Sequence, residues 1–229
     1  MIGIVSNTRS KKTKLQTREI TPRILCVEMS VKKSAKPVIK TFRKFGITRI
    51  AASNDIFNKH GRAFLKQGIT PVTGDALSEK LMLRIALKAA QDLWGTLEDV
   101  ATEVYTGGSD AFDAVRFLGK RLRHLALIGR GSEQLCDKAY SDLGISALNK
   151  CIPAEISEKI LRLYFNGDNR RFSLKTPLGE KSYSSCKVKI PEKYAEFCPV
   201  ECRAALAAVL IQQGLLTQED VEIQEVSVK

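Results

Sequence analysis

The sequence predicts an α/β protein built on a doubly wound, mostly parallel, Rossmann-like sheet of about six strands. Three observations carry that expectation. Short apolar runs alternate with helical patterns from Ile24 to Leu148. The runs are almost continuously apolar, as strands covered on both faces must be. Glycines close the helical patterns at Gly46, Gly68 and Gly144, where a left-handed cap is needed.

Met1–Ser6 reads as a short strand. Asn7–Arg23 holds Arg9, Lys11, Lys12, Lys14, Arg18 and Arg23 among polar residues, a loop or exposed hairpin with no apolar face to bury. Ile24–Met29 suits a buried strand. Ser34–Phe45 follows with Val38, Ile39, Phe42 and Phe45 at helical spacing, and Pro37 lies near its start, where a missing N–H costs little. Ile47–Ser53 is the next strand, and Asn54 or Asp55 is the expected N-cap of a helix through Gln67. Ile69–Thr73 is a third short strand, and Ala76–Leu93 a long helix with Leu77, Leu81, Ile85, Leu87 and Ala89 on its apolar positions.

The rhythm then restarts. Val100–Tyr105, Leu122–Ile128 and Ile145–Leu148 read as strands, with Asp110–Leu118 and Ser132–Leu143 as the helices between them. Gly144-Ile145 echoes Gly68-Ile69, so residues 24–73 and 100–149 are either duplicated halves or the fold's own period. Ile24–Met29, Ile47–Ser53, Val100–Tyr105 and Leu122–Ile128 are expected as parallel neighbours in one sheet, which makes 1–152 one domain. Residues 153–229 break the pattern. A helix over Ile156–Phe165 is expected first, then a hairpin of Arg171–Lys175 and Tyr183–Ile190 around Pro177-Leu178-Gly179. A helix over Pro199–Gln213 and a strand over Val221–Val228 follow. This stretch is a C-terminal α+β extension or an elaboration of the sheet edge.

The 229 residues are 44% hydrophobic and 27% charged, ordinary for a globular protein. No apolar run approaches the roughly 20 residues of a membrane span. Met1–Val5 carries no basic leader, so no secretory signal is expected and the predicted location is cytoplasmic, with no membrane partner. The six cysteines are then expected as reduced thiols, with Cys26 and Cys136 as buried, unpaired core residues. Cys198 and Cys202, spaced i, i+4, could share a helix face, but no metal site is expected from this pattern with only His60 and His124 in the chain. The charge is distributed unevenly. Residues 1–70 hold 16 Lys/Arg against three acids, a net of +13, whereas residues 71–229 hold 21 against 22. Such asymmetry points to an anionic partner met by one part of the molecule.

In an open parallel sheet, ligands bind outside the carboxyl ends of the strands, where the strand order reverses. The reversal expected here lies between two loops. The first offers Ser30, Lys32, Lys33 and Ser34, with Lys32 or Lys33 as counter-charge to a phosphate or carboxylate. The second is Thr106, Gly107, Gly108 and Ser109, where paired glycines ahead of a helix turn backbone N–H groups toward an anion. A third turn, with Gly129 and Gly131, lacks the Lys-Ser/Thr ending of a P-loop and the spacing of a dinucleotide fingerprint. The first strand–helix turn has no glycine, so a standard nicotinamide site is not predicted, and the cofactor is left open.

General acid–base candidates are few. His124 opens an apolar strand and reads as structural, His60 reads as solvated mid-helix, and Asp55 serves equally as helix cap or base. No nucleophile elbow or HExxH pair is present, so catalytic residues and enzyme status stay open. Three readings follow. The first is a protein that binds a small anionic metabolite or nucleotide at the strand carboxyl ends. The second is a backbone-directed nucleic-acid binder using Arg9–Arg23 together with Lys36, Lys40, Arg43 and Lys44. The third is a non-catalytic interaction or scaffold protein. Oligomeric state is left open by all three.

Overall fold

The computed structural model describes residues 1–7, 14–18, 24–106, 110–153, 156–166, 169–196 and 198–229, without the side chains of 14–18, 110, 166 and 169. The α/β class holds, but the strands form two sheets of five and six strands. Two compact units result, residues 1–80 with 188–224 and residues 81–187 with 225–229.

The first sheet is ordered β2 (Lys14–Arg18), β3 (Ile24–Met29), β1 (Ile2–Asn7), β4 (Arg49–Ala52), β5 (Thr70–Val72). β3, β1, β4 and β5 are mutually parallel, and β2 adds an antiparallel edge. Gly3 and Val5 of β1 stand beside Leu25 and Val27 on one side and Ile50 and Ala52 on the other. They share a buried cluster with Val38, Ile39 and Phe42 of α1 (Lys36–Lys44) and Ile56 and Phe64 of α2 (Asn54–Leu65). Both helices therefore cover one sheet face. Ile2, Ile4, Ile24 and Ala51 point the other way and are also buried. That second face receives α7 (Arg203–Gln212), which packs on β4 and β5 and whose Gln212 Oε1 accepts a bond of 3.2 Å from Arg49.

The second sheet is ordered β11 (Glu222–Val228), β10 (Gly179–Lys189), β9 (Asn169–Thr176), β8 (Ile160–Asn166), β6 (Ala101–Thr106), β7 (His124–Gly129). β6 is parallel to both β7 and β8, and β8–β9–β10 run antiparallel. α4 (Asp110–Leu118) and α5 (Ser132–Leu143) pack against β6 and β7. Val104, Leu163, Phe172, Leu161 and Leu174 are buried on one face. Glu103, Tyr105, Arg162, Tyr164 and Ser173 alternate with them on the other. α3 (Asp75–Trp94) and α6 (Glu192–Ala195) complete the helices, and a 3-10 turn at Val200–Cys202 leads into α7. Among the described residues, no helix is long and apolar enough to cross a membrane.

Five expectations are corrected. The strands Ile24–Met29, Ile47–Ser53, Val100–Tyr105 and Leu122–Ile128 are not neighbours in one sheet of about six strands. β1 intervenes between β3 and β4, and β8 takes the free side of β6, so neither central strand has an edge left to join the two sets. Residues 160–189 consequently elaborate the second sheet. Ile156–Phe165 is not a helix: Leu161, Leu163 and Phe165 are buried while Arg162 and Tyr164 face the other side, a period of two. Ile145–Leu148 contributes only a bridge between Leu148 and Ala126. The N-cap of α2 is Ser53, one residue ahead of the expected Asn54 or Asp55, and its hydroxyl makes no cap bond. No disulfide joins any of the six cysteines, and Cys26 and Cys136, expected to be buried, are half-buried.

Gly3 is where the first sheet tolerates no side chain. A Cβ there would lie 2.7 Å from Ile50 Cγ2 and 3.1 Å from both Ile47 Cγ2 and the Phe42 ring. Gly3→Val should lower stability by about 1–3 kcal/mol through overpacking. The urea midpoint of the variant against the unmodified protein measures this, and an unchanged midpoint would contradict the packing described.

Candidate functional site

The loop Ser30–Ser34 follows β3 at the carboxyl edge of the first sheet, and its polar groups are used locally. The Lys33 amide bonds Ser30 O at 2.9 Å, Ser30 Oγ accepts from the Lys32 amide at 3.4 Å, and Ser34 Oγ accepts from the Lys36 amide at 3.3 Å. Val31 ties the loop to its neighbours. Its amide donates to Asn7 Oδ1 at 3.3 Å, and its carbonyl lies 2.9 Å from His60 Nε2. His60 is thus half-buried and engaged, against the solvated role expected. Asn7 Nδ2 donates in turn to the Asp55 carboxylate at 3.0 Å, so this edge already contains an anion of its own. The loop is a braced turn with Lys32 exposed beside it.

The second expected loop closes a strand of the other sheet, so the two share no switch point of a single sheet. Gly107, Gly108 and Ser109 lie outside the described residues. Thr106 Oγ1 donates to the carbonyls of Ile128 at 3.4 Å and Arg130 at 3.3 Å. Gly129 is required by geometry: its φ is +116°, and a Cβ would come within 2.8 Å of Thr106 O. Gly131 is left-handed at the start of α5. Both glycines serve the turn. His124 is exposed at the start of β7.

A different feature gathers cations. Between α1 and α2 lies an open groove of about 730 Å³, lined by Lys36, Lys40, Arg43 and Lys44 of α1 and by Lys66 and Gln67 just beyond α2. Ile39 and Ala63 supply apolar lining. Beneath it the rings of Phe42 and Phe64 meet at 6.4 Å and hold the two helices together. The helical spacing that buries Val38, Ile39 and Phe42 necessarily turns Lys36, Lys40 and Lys44 outward on successive turns. Arg43 Nη1 donates to Gln67 Oε1 at 3.1 Å across the groove. Among the described residues, no carboxylate pairs with any of these five cations. Sequence reasoning placed Lys36, Lys40, Arg43 and Lys44 together and missed Lys66, Gln67 and Ala63. Their signal was the α2 pattern itself, which puts Phe64 inward and its neighbours outward. Of the other basic residues of the expected patch, Arg9, Lys11, Lys12 and Arg23 lie outside the described residues, and Lys14 and Arg18 are described only as backbone of β2.

The polar face of the second sheet holds another cluster. Arg162 bridges two carboxylates, donating from Nε to Glu103 at 2.9 Å and from Nη1 to Glu180 at 3.2 Å. Glu103 also accepts from Tyr105 OH at 3.0 Å and from the Ile152 amide at 3.0 Å. Glu180 accepts from Ser173 Oγ and from Tyr164 OH at 3.3 Å. The rings of Tyr105 and Tyr164 stack at 4.7 Å. Burial, reinforced by the bond to Glu103, pushes the Tyr105 phenol above its ordinary range. Ser173 is itself buried, and its hydroxyl is committed to Glu180. Among the described residues, no cluster of His, Cys, Asp or Glu could hold a metal ion.

No known protein family, curated protein or solved structure matches the chain.

The Ser173 hydroxyl, then Arg162 and Tyr164, hold the Glu180 carboxyl below its usual value of 4.5. Its folded value being depressed, the stability it contributes is complete above the unfolded value and is lost as pH falls through the folded one. Denaturant midpoints of the unmodified protein and Glu180→Gln should therefore differ at neutral pH and converge in acid below 4.5. A gap independent of pH would refute the ionised bridge.

Proposed function

We propose that this protein binds the phosphate backbone of nucleic acids through the groove between α1 and α2, without reading base sequence. One observation carries the reading: five cations border an apolar depression, and among the described residues no carboxylate is paired to them. The concentration of positive charge in residues 1–70, a net of +13, adds long-range attraction to the same unit. The alternative, a small anionic metabolite at the strand carboxyl ends, is less well supported. There the Ser30 and Ser34 hydroxyls cap nearby amides and Asp55 supplies negative charge. The groove volume does suit a mononucleotide, which makes that ligand the natural competitor. As to fold, the helices on both faces of the first sheet support a doubly wound, Rossmann-like description of that unit alone. The cysteines, none of them in a disulfide, fit the reducing, cytoplasmic setting included in this proposal.

The test is fluorescence anisotropy with a labelled mixed-sequence oligonucleotide over a range of salt. The variant carrying Lys36→Gln, Lys40→Gln, Lys44→Gln and Lys66→Gln should bind more weakly. Its plot of log affinity against log salt should be shallower by about three, roughly one counterion for each phosphate contact removed. Failure of the unmodified protein to bind, or undiminished binding by the variant, would overturn the reading.

A further inference from the structure

We infer that the groove takes one extended nucleic-acid strand rather than a duplex, an inference that rests on the phosphate-backbone reading above. Lys36, Lys40 and Lys44 recur every four residues of α1, one cation per ~6 Å of helix axis. Cations in a row at this spacing can each meet a phosphate along one backbone. The cations also border a recess, and neighbouring helices stand about 8–10 Å apart. A duplex is too wide to enter such a recess and can meet only the lysines on its rim, whereas a single strand can lie in it.

The chemistry of the lining agrees with this. Ile39 and Ala63 give sugar and base edges an apolar surface that a rigid duplex could not reach. The side-chain amide of Gln67 in the lining already accepts from Arg43. Among the described residues no aromatic ring lines the groove, so the contact is the charged trough of a sequence-tolerant single-strand binder without its stacking platform.

Competition with unlabelled strands against a labelled single strand tests the inference. A mixed-sequence single strand of DNA or RNA should compete about an order of magnitude better than the same sequence as a duplex. Ala63→Leu, which fills the trough at an exposed helical position and changes no charge, should weaken single-strand binding to a similar degree and leave weak duplex binding unchanged. Circular dichroism checks that this variant is folded. Equal competition by the duplex, or single-strand binding indifferent to Ala63→Leu, would overturn the single-strand inference while the backbone reading survives on the lysine variant. A mononucleotide that competes as well as the strand would overturn it too. If the lysine variant binds every strand normally, the backbone reading itself fails.

Discussion

The position of β1, hydrogen-bonded in parallel to β3 on one side and β4 on the other, is the constraint from which the first unit follows. A parallel strand cannot be reached by a hairpin, so the chain must cross over the sheet to return. The steps from β3 to β4 and from β4 to β5 run the same way across the sheet, and a common handedness puts both crossover helices on one face. α1 and α2 are thereby set side by side above Gly3 and Val5. The absence of a side chain at Gly3 lets Phe42 approach the sheet, and Phe42 then meets Phe64. What remains above those rings is the cation-lined trough. The groove is thus the outer consequence of how an inner strand is paired.

The second sheet depends on a different kind of order. Glu103 is 1% exposed, and a carboxylate so buried is tolerable only where its charge and lone pairs are met. Arg162, Tyr105 and the Ile152 amide meet them, and Arg162 reaches on to Glu180. Glu103 stands directly opposite Arg162, and Arg162 opposite Ser173. A slip of one residue would turn every member to the apolar face, so these polar pairs reinforce the register that the buried hydrophobic face specifies.

Most elements of this protein were legible because their periodicity is strong. Ile24–Met29, the α1 pattern and the hairpin around Pro177-Leu178-Gly179 all lie where the residues predict. Sheet membership was not legible, since an apolar strand records that it is covered and not by which neighbour. Residues 160–166 were misread for a related reason. Ile160, Leu161 and Leu163 imitate a helical stripe until Arg162 and Tyr164 are seen to meet Glu103 and Glu180 across strands, contacts 59 and 16 residues distant in sequence. Half of the groove was visible as Lys36, Lys40 and Lys44 on one helix face. The α2 side was hidden because Lys66 gains meaning only when the sheet brings the end of α2 beside α1.

Lys36 also records a conflict within α1. It stands in the first turn, where the exposed amides carry partial positive charge, and no acidic residue in that turn offsets it. Arg43 and Lys44, in the last turn, complement the dipole that Lys36 opposes. Such a placement costs about 0.3–1 kcal/mol at an exposed helix end. Replacement by an acid would firm the helix and, in the same step, remove a cation from the rim of the trough. α1 therefore sits below the stability its own backbone could reach, as expected where a surface is kept for contact rather than for folding.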